Sequence, residues 1–143
     1  MVSSSGGVIL DVLHLSPWLE RHQVSWAAVP APDTRVLLES QRVYWCPEAT
    51  SRQVWRLPGS VLRALRVLRR ARPDVVVSSG TGIAVAYFTA ARLMSVPTLW
   101  LDTFNVVSQP GRAARICRRL ASARLVQRSS LAGPGVVYVG ELL

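Results

Sequence analysis

The chain has no lysine. All 17 of its basic residues are arginine, against 8 acidic residues. A Walker-type P-loop needs a lysine to reach the β- and γ-phosphates, so nucleotide hydrolases of that class are excluded. Cysteine is scarce: Cys46 and Cys117 stand far apart and form no metal or redox motif. Both read as free thiols of a reducing compartment, with a packing role. Histidine is limited to His14 and His22, and only Asp11 lies at helical spacing from His14. That is too few ligands for a metal site, and none is expected. No Ser/His/Asp constellation can be assembled. No apolar run reaches the ~20 residues that span a bilayer. The longest uncharged run, Val75 to Ala91, is broken by Ser78, Ser79, Gly80, Thr81 and Gly82. Met1-Val2 leads straight into serine and glycine, without the basic and apolar regions of a signal peptide. A cytoplasmic protein is expected, with any membrane contact peripheral.

What is present points to a folded domain. The 143 residues are half hydrophobic and 17% charged, enough for one domain with a proper core. The formal net charge of +9 calls for an acidic partner: nucleic acid, anionic membrane, phosphorylated substrate or acidic protein. The all-arginine usage is also what GC-rich codons produce, although arginine's bidentate fork suits phosphate in a way lysine cannot match.

The segment Arg72 to Phe104, RPDVVVSSGTGIAVAYFTAARLMSVPTLWLDTF, carries the most information. It reads as one β-loop-α-β unit. A buried strand, Val75–Ser78, enters the loop Ser79-Gly80-Thr81-Gly82; an apolar helix follows, and a second strand ends at Asp102. Glycines at such a turn let ligand atoms approach the backbone, and the helix N-terminus offers free N–H groups to anions. Ser3-Ser4-Ser5-Gly6-Gly7 repeats the arrangement at the start of the chain. The alternative is a tight turn whose small residues serve helix–sheet packing. Neither loop has G-x-G-x-x-G spacing, and no acidic residue sits at a suitable second-strand tip.

Elsewhere, Val8 to Arg21 reads as a helix kinked or ended by Pro17. Val24 to Val29 reads as a strand, and Arg42 to Trp45 as a short one; Thr34 to Ser40 fits neither pattern. Pro47 to Pro58 is a surface loop. Ser60 is the expected N-cap of a helix over Val61–Arg72, with Val61, Leu62, Leu65 and Leu68 as its apolar stripe. A further helix spans Arg112 to Leu120, followed by strands at Ala123–Gln127 and Val136–Val139. Met1-Val2 is short for a first strand, so either the strand is clipped or the start lies upstream. Helices alternating with apolar strands imply a parallel sheet covered on both faces.

Asp102, at the end of its strand, is a candidate to accept a proton or bind a sugar hydroxyl, or else a turn cap. The arginines of the two basic helices are solvated faces, a nucleic-acid surface or a lipid surface. Aromatics are not interleaved with them, which disfavours single-strand stacking. On anionic lipid each near-surface basic residue is worth about 1 kcal/mol.

SSSGGVILDVLHLSPWLERHQVSW, the Arg72–Phe104 segment and the closing VVYVGELL resemble the membrane-recruiting subunit of the two-part UDP-N-acetylglucosamine transferase of dolichol-linked oligosaccharide assembly. They are similar as well to its bacterial exopolysaccharide homologues. The resemblance implies a Rossmann-like domain over residues 1–143, equivalent to the N-terminal half of a GT-B glycosyltransferase. It implies that this half holds a lipid-pyrophosphate-linked sugar acceptor, that a separate donor-binding subunit holds the UDP-sugar, and that this chain binds no cofactor itself. Ser5, Gly6 and Gly7, with Ser79, Gly80, Thr81 and Gly82, are then the acceptor- or phosphate-binding residues. Asp102, where the family commonly has glutamate, is the catalytic candidate. Arg63, Arg66, Arg69 and Arg70 face the membrane at the inner side of the cell membrane. Family members often place histidine after the first glycine loop; this chain has Val8. Two other readings stay open: a basic α/β nucleic-acid-binding module, and a fragment of a split single-chain enzyme.

Overall fold

The computed structural model describes residues 1–48, 54–80, 82–103, 111–127, 129 and 132–138. Its centre is a seven-stranded sheet in the order β3-β2-β1-β4-β5-β6-β7. The strands are β1 (Val2–Ser3), β2 (Ser25–Ala28), β3 (Arg42–Trp45), β4 (Val76–Ser78), β5 (Thr98–Asp102), β6 (Ala123–Val126) and β7 (Val136–Tyr138). Every ladder is parallel. Parallel neighbours need crossovers, and helices supply them: α1 (Gly7–Leu13), α2 (Ser16–Leu19), α3 (Pro32–Leu37), α4 (Leu57–Ala71), α5 (Gly82–Leu93) and α6 (Arg112–Leu120). The two-residue β1 is a full member of the sheet, pairing with β2 through Val2–Ala27 and Ser3–Ala28 and with β4 through Val2–Ser78.

Strand alternation divides the core. Ala27, Val76 and Trp100 face α4, α5 and α6, where Ala64, Leu68, Ile83, Tyr87, Phe88 and Cys117 pack on them. Trp26 and Ala28 face the other way, onto Ile9, Val12 and Leu38. The main cluster centres on α5, an apolar helix buried on several sides; Phe88 stands edge-on to Trp100, ring centroids 6.0 Å apart. Both cysteines are free and buried. Burial pushes the Cys117 thiol up to about 12, which leaves it protonated and unreactive at neutral pH.

Several boundaries differ from the sequence-based expectation. The helix expected over Val8–Arg21 is two, because the chain leaves helical geometry at Leu15 and Pro17 sits in the first turn of α2, where its missing N–H costs nothing. Thr34–Ser40 resolves in part into α3: the Thr34 hydroxyl accepts from the Ala31 N–H at 2.9 Å and donates to the Val29 carbonyl at 2.8 Å. Helix α4 begins at Leu57, with Pro58 in its first turn, so Ser60 lies inside the helix and is no cap. Ala64 and Leu68 are the buried positions of α4, whereas Leu62 is 48% exposed. Arg72 ends α4 in the left-handed region (φ 46°), and Pro73 prevents continuation. Val139, expected to close β7, lies outside the described residues. No helix among the described residues is long and apolar enough to cross a membrane.

Candidate functional site

Parallel order places the ends of β1, β4 and β5 along one edge of the sheet, so the loops that follow them are neighbours. Ser78, the last residue of β4, donates its hydroxyl to the Val2 carbonyl of β1 at 2.8 Å and to the Gly80 carbonyl at 3.1 Å. Ser79 donates to the Val8 carbonyl at 3.3 Å. The Val8 side chain also lies against Gly80, where an added Cβ would stand 3.6 Å from its methyl. The two serine-glycine loops expected from sequence are thus neighbours, joined through Val2 and Val8, the residues on either side of the first loop. Thr81 lies outside the described residues. Gly82 begins α5, and Gly7 begins α1 with open space where its side chain would be.

The glycines are not equivalent. Gly6 has φ 74° and ψ −146°, a conformation that side-chain-bearing residues avoid. Gly80 has ordinary φ, and a methyl there would meet only van der Waals contact. Gly6→Ala is therefore expected to cost about 1–3 kcal/mol in urea unfolding, while Gly80→Ala leaves the midpoint unchanged. A diphosphate affinity lost in Gly80→Ala, without loss of stability, would mark close ligand approach at that loop.

Sequence reasoning missed the carboxylate nearest the first loop. Asp33, in the first turn of α3, accepts the Gly6 N–H at 2.7 Å. This bond is the main cause that holds its carboxyl below the usual range. The carboxylate stays ionised and bonded above ordinary carboxylate pKa values, and the bond is lost only as pH falls through the lowered one. The acidic group that reaches the first loop comes from the start of α3, beyond the end of the second strand, in the Pro32-Asp33 pair that the sequence marks as a strand stop. One amide of the first loop is consequently occupied from within the molecule. At the end of β5, the Thr103 hydroxyl donates to Asp11 of α1 at 2.7 Å, which ties the third strand end to the same cluster.

Asp102 occupies a different environment from the one its expected role requires. It is 2% exposed. One carboxylate oxygen accepts from Trp100 Nε1 at 2.8 Å and from Arg118 through both Nε and an NH2 group, at 3.1 and 2.6 Å; the other accepts from Arg124 at 3.3 Å. A carboxylate this buried, and bonded to two guanidiniums and an indole, is closed off from a substrate hydroxyl. The geometry corrects the expectation of a general base: Asp102 is the buried counter-ion that joins β5 to α6 and β6.

The basic surface is also rearranged. Arg63, Arg66 and Arg70 line a groove of about 440 Å³ against Val43, Tyr44 and Trp45 of β3; Arg69 is exposed outside that lining. Arg35 stacks on Trp45 and Arg42 on Tyr44, each 5.6 Å from the ring centroid. Aromatics do accompany the arginines, through pairings that the fold makes and the linear sequence hides.

The sheet, its order and its paired loops define a Rossmann-like domain, the architecture of the N-terminal half of GT-B enzymes. No protein-family model matches the chain. Among curated proteins it is similar to the UDP-N-acetylglucosamine--N-acetylmuramyl-(pentapeptide) pyrophosphoryl-undecaprenol N-acetylglucosamine transferase of Parasynechococcus marenigrum, 31% identical over 141 residues. That match covers 92% of this chain and 38% of the relative. Among solved structures it is similar to Acinetobacter baumannii MurG, with TM-score 0.74 and 20% identity over 95% of this chain and 44% of that one. It is similar as well to the UDP-GlcNAc 2-epimerase of Methanocaldococcus jannaschii, with TM-score 0.71 and 13% identity over 98% and 44%. The chain thus spans less than half the length of the relatives it matches.

Proposed function

We propose that the chain is the acceptor-side half of a glycosyltransferase of polysaccharide assembly, making a lipid-linked oligosaccharide or an exopolysaccharide. The observation that supports this most is the pair of serine-glycine loops, set side by side at the carboxyl edge of the sheet, where open α/β folds place ligands, with the second bonded to the residues that flank the first. The curated relative's name gives a UDP-sugar donor and a pyrophosphoryl-lipid acceptor. On that pattern Ser5 and Gly7, with Ser79, Gly80 and Gly82, present amides and hydroxyls to the acceptor's pyrophosphate, while the Gly6 amide is held by Asp33. A donor-binding partner subunit holds the UDP-sugar across the cleft. Transfer requires both halves, because the acceptor hydroxyl and the anomeric carbon must be held in line. The base that activates the hydroxyl is not assigned to this half, since Asp102 is engaged as a counter-ion.

Peripheral attachment to the inner face of the membrane is proposed through the start of α4 and the turn before it. Trp55 and Leu62 are exposed there, with Arg56 exposed beside Trp55 in the chain; Arg69 is an exposed cation of the last turn of α4. The test is reconstitution. Purified chain given a UDP-sugar and a polyprenyl-pyrophosphate-linked sugar is expected to transfer nothing. Activity is expected to appear when a donor-side half encoded beside it is added. Full transfer by this chain alone would overturn the proposal.

A further inference from the structure

The edge strand β3 combines three properties that no part of the proposed reaction uses. First, β3 ends the sheet, and among the described residues only β2 pairs with it. The Cys46 N–H donates to Ala28 of β2 at 2.8 Å. Strand alternation then points the backbone groups of Tyr44 at β2 and those of Val43 and Trp45 at the open side. Second, Arg63, Arg66 and Arg70 stand over this edge from α4, and Arg35 and Arg42 lie on its aromatic rings. The ion pairs of the described residues both go to Asp102, so none of these five arginines has a carboxylate partner there. Among the described residues no acidic one lines the groove. Third, Tyr44 lines the groove, and its hydroxyl is buried with no hydrogen-bond partner among the described residues.

An open strand edge asks for another strand, and five unneutralised guanidiniums ask for carboxylates. We infer that the β3–α4 groove docks an extended acidic segment of a partner protein, which adds as an eighth strand beside β3. Its backbone pairs with Val43 and Trp45, and its carboxylates alternate toward Arg63, Arg66 and Arg70. A second copy of this chain is a poor occupant at net charge +9. Lipid would neutralise the arginines but leave the edge N–H and C=O groups without directional partners. The inference does not rest on glycosyl transfer.

The probe is an alternating Val-Glu peptide, with an alternating Pro-Glu peptide of equal charge that lacks half the backbone donors. The full chain is expected to bind the first saturably and the second at least about tenfold more weakly. Arg63→Gln, Arg66→Gln and Arg70→Gln together are expected to weaken binding about tenfold, in keeping with three partly exposed ion pairs. In amide-exchange NMR the Val43 and Trp45 N–H groups are expected to become protected on binding. Equal binding of both peptides, or binding that leaves those two amides unprotected, would overturn the inference. So would protection of those amides by anionic vesicles or a single-stranded oligonucleotide and not by the peptide. The exchange readout needs no variant, so a substitution that disturbs folding does not blunt the test.

Discussion

Replacing Asp102 with alanine is expected to lower Tm by roughly 10 °C, a loss of about 3 kcal/mol for a domain of this size. The substitution removes the carboxylate that Arg118 and Arg124 share and strands the Trp100 indole N–H in the core. Breaking a buried pair from one side leaves uncompensated charge, which is why the expected cost exceeds that of a surface ion pair. The arginine side chains keep 19% and 30% exposure, so water recovers part of the loss. Asp102→Asn retains an acceptor for the indole and gives a smaller drop. The same pair of variants separates the counter-ion from a catalytic base. In a reconstituted enzyme a counter-ion variant loses transfer in step with its folded fraction. A missing base would cost about 10²–10⁴-fold with Tm unmoved.

Phe88→Ala is the other large effect, about 3–5 kcal/mol. Phe88 is fully buried on α5, edge-on to Trp100. Removing its ring opens a cavity between α5 and the sheet. Against a total stability of about 5–15 kcal/mol, this is enough to leave a measurable unfolded population at 37 °C. Urea unfolding followed by far-UV circular dichroism measures it. Because α5 starts at Gly82, a loosened α5 also loosens the second serine-glycine loop, so any diphosphate affinity is expected to fall with the stability.

The parts of the fold visible in sequence were those with local causes. Strand β3 matched at Arg42–Trp45 and helix α6 at Arg112–Leu120, since strong apolar or amphipathic patterns end at clear breaks there. The two glycine loops were legible because small residues between a strand and a helix have few other uses. The misses share a different cause. Asp33 reaches Gly6 across a separation of 27 residues, and Arg118 reaches Asp102 across 16. No periodicity encodes either contact. Asp102 looked available only because its partners lie on later elements. The α4 arginines read as a free helix face, although the sheet edge comes up beside three of them. Ser60 was mistaken for a cap because its side chain is a good one; Pro58, two residues earlier, is the stronger helix-start signal.

The brevity of β1 has a consequence for assembly. β2 and β3 reach the rest of the sheet only by way of β1, whose described pairing to β4 is Val2 to Ser78, reinforced by the Ser78 hydroxyl on the Val2 carbonyl. Those residues are 76 apart in the chain. The junction that carries both candidate ligand loops therefore closes a loop of 76 residues in a chain of 143. Loop-closure entropy opposes that contact, so β1 is the keystone on which the joining of the two flanking portions of the sheet depends.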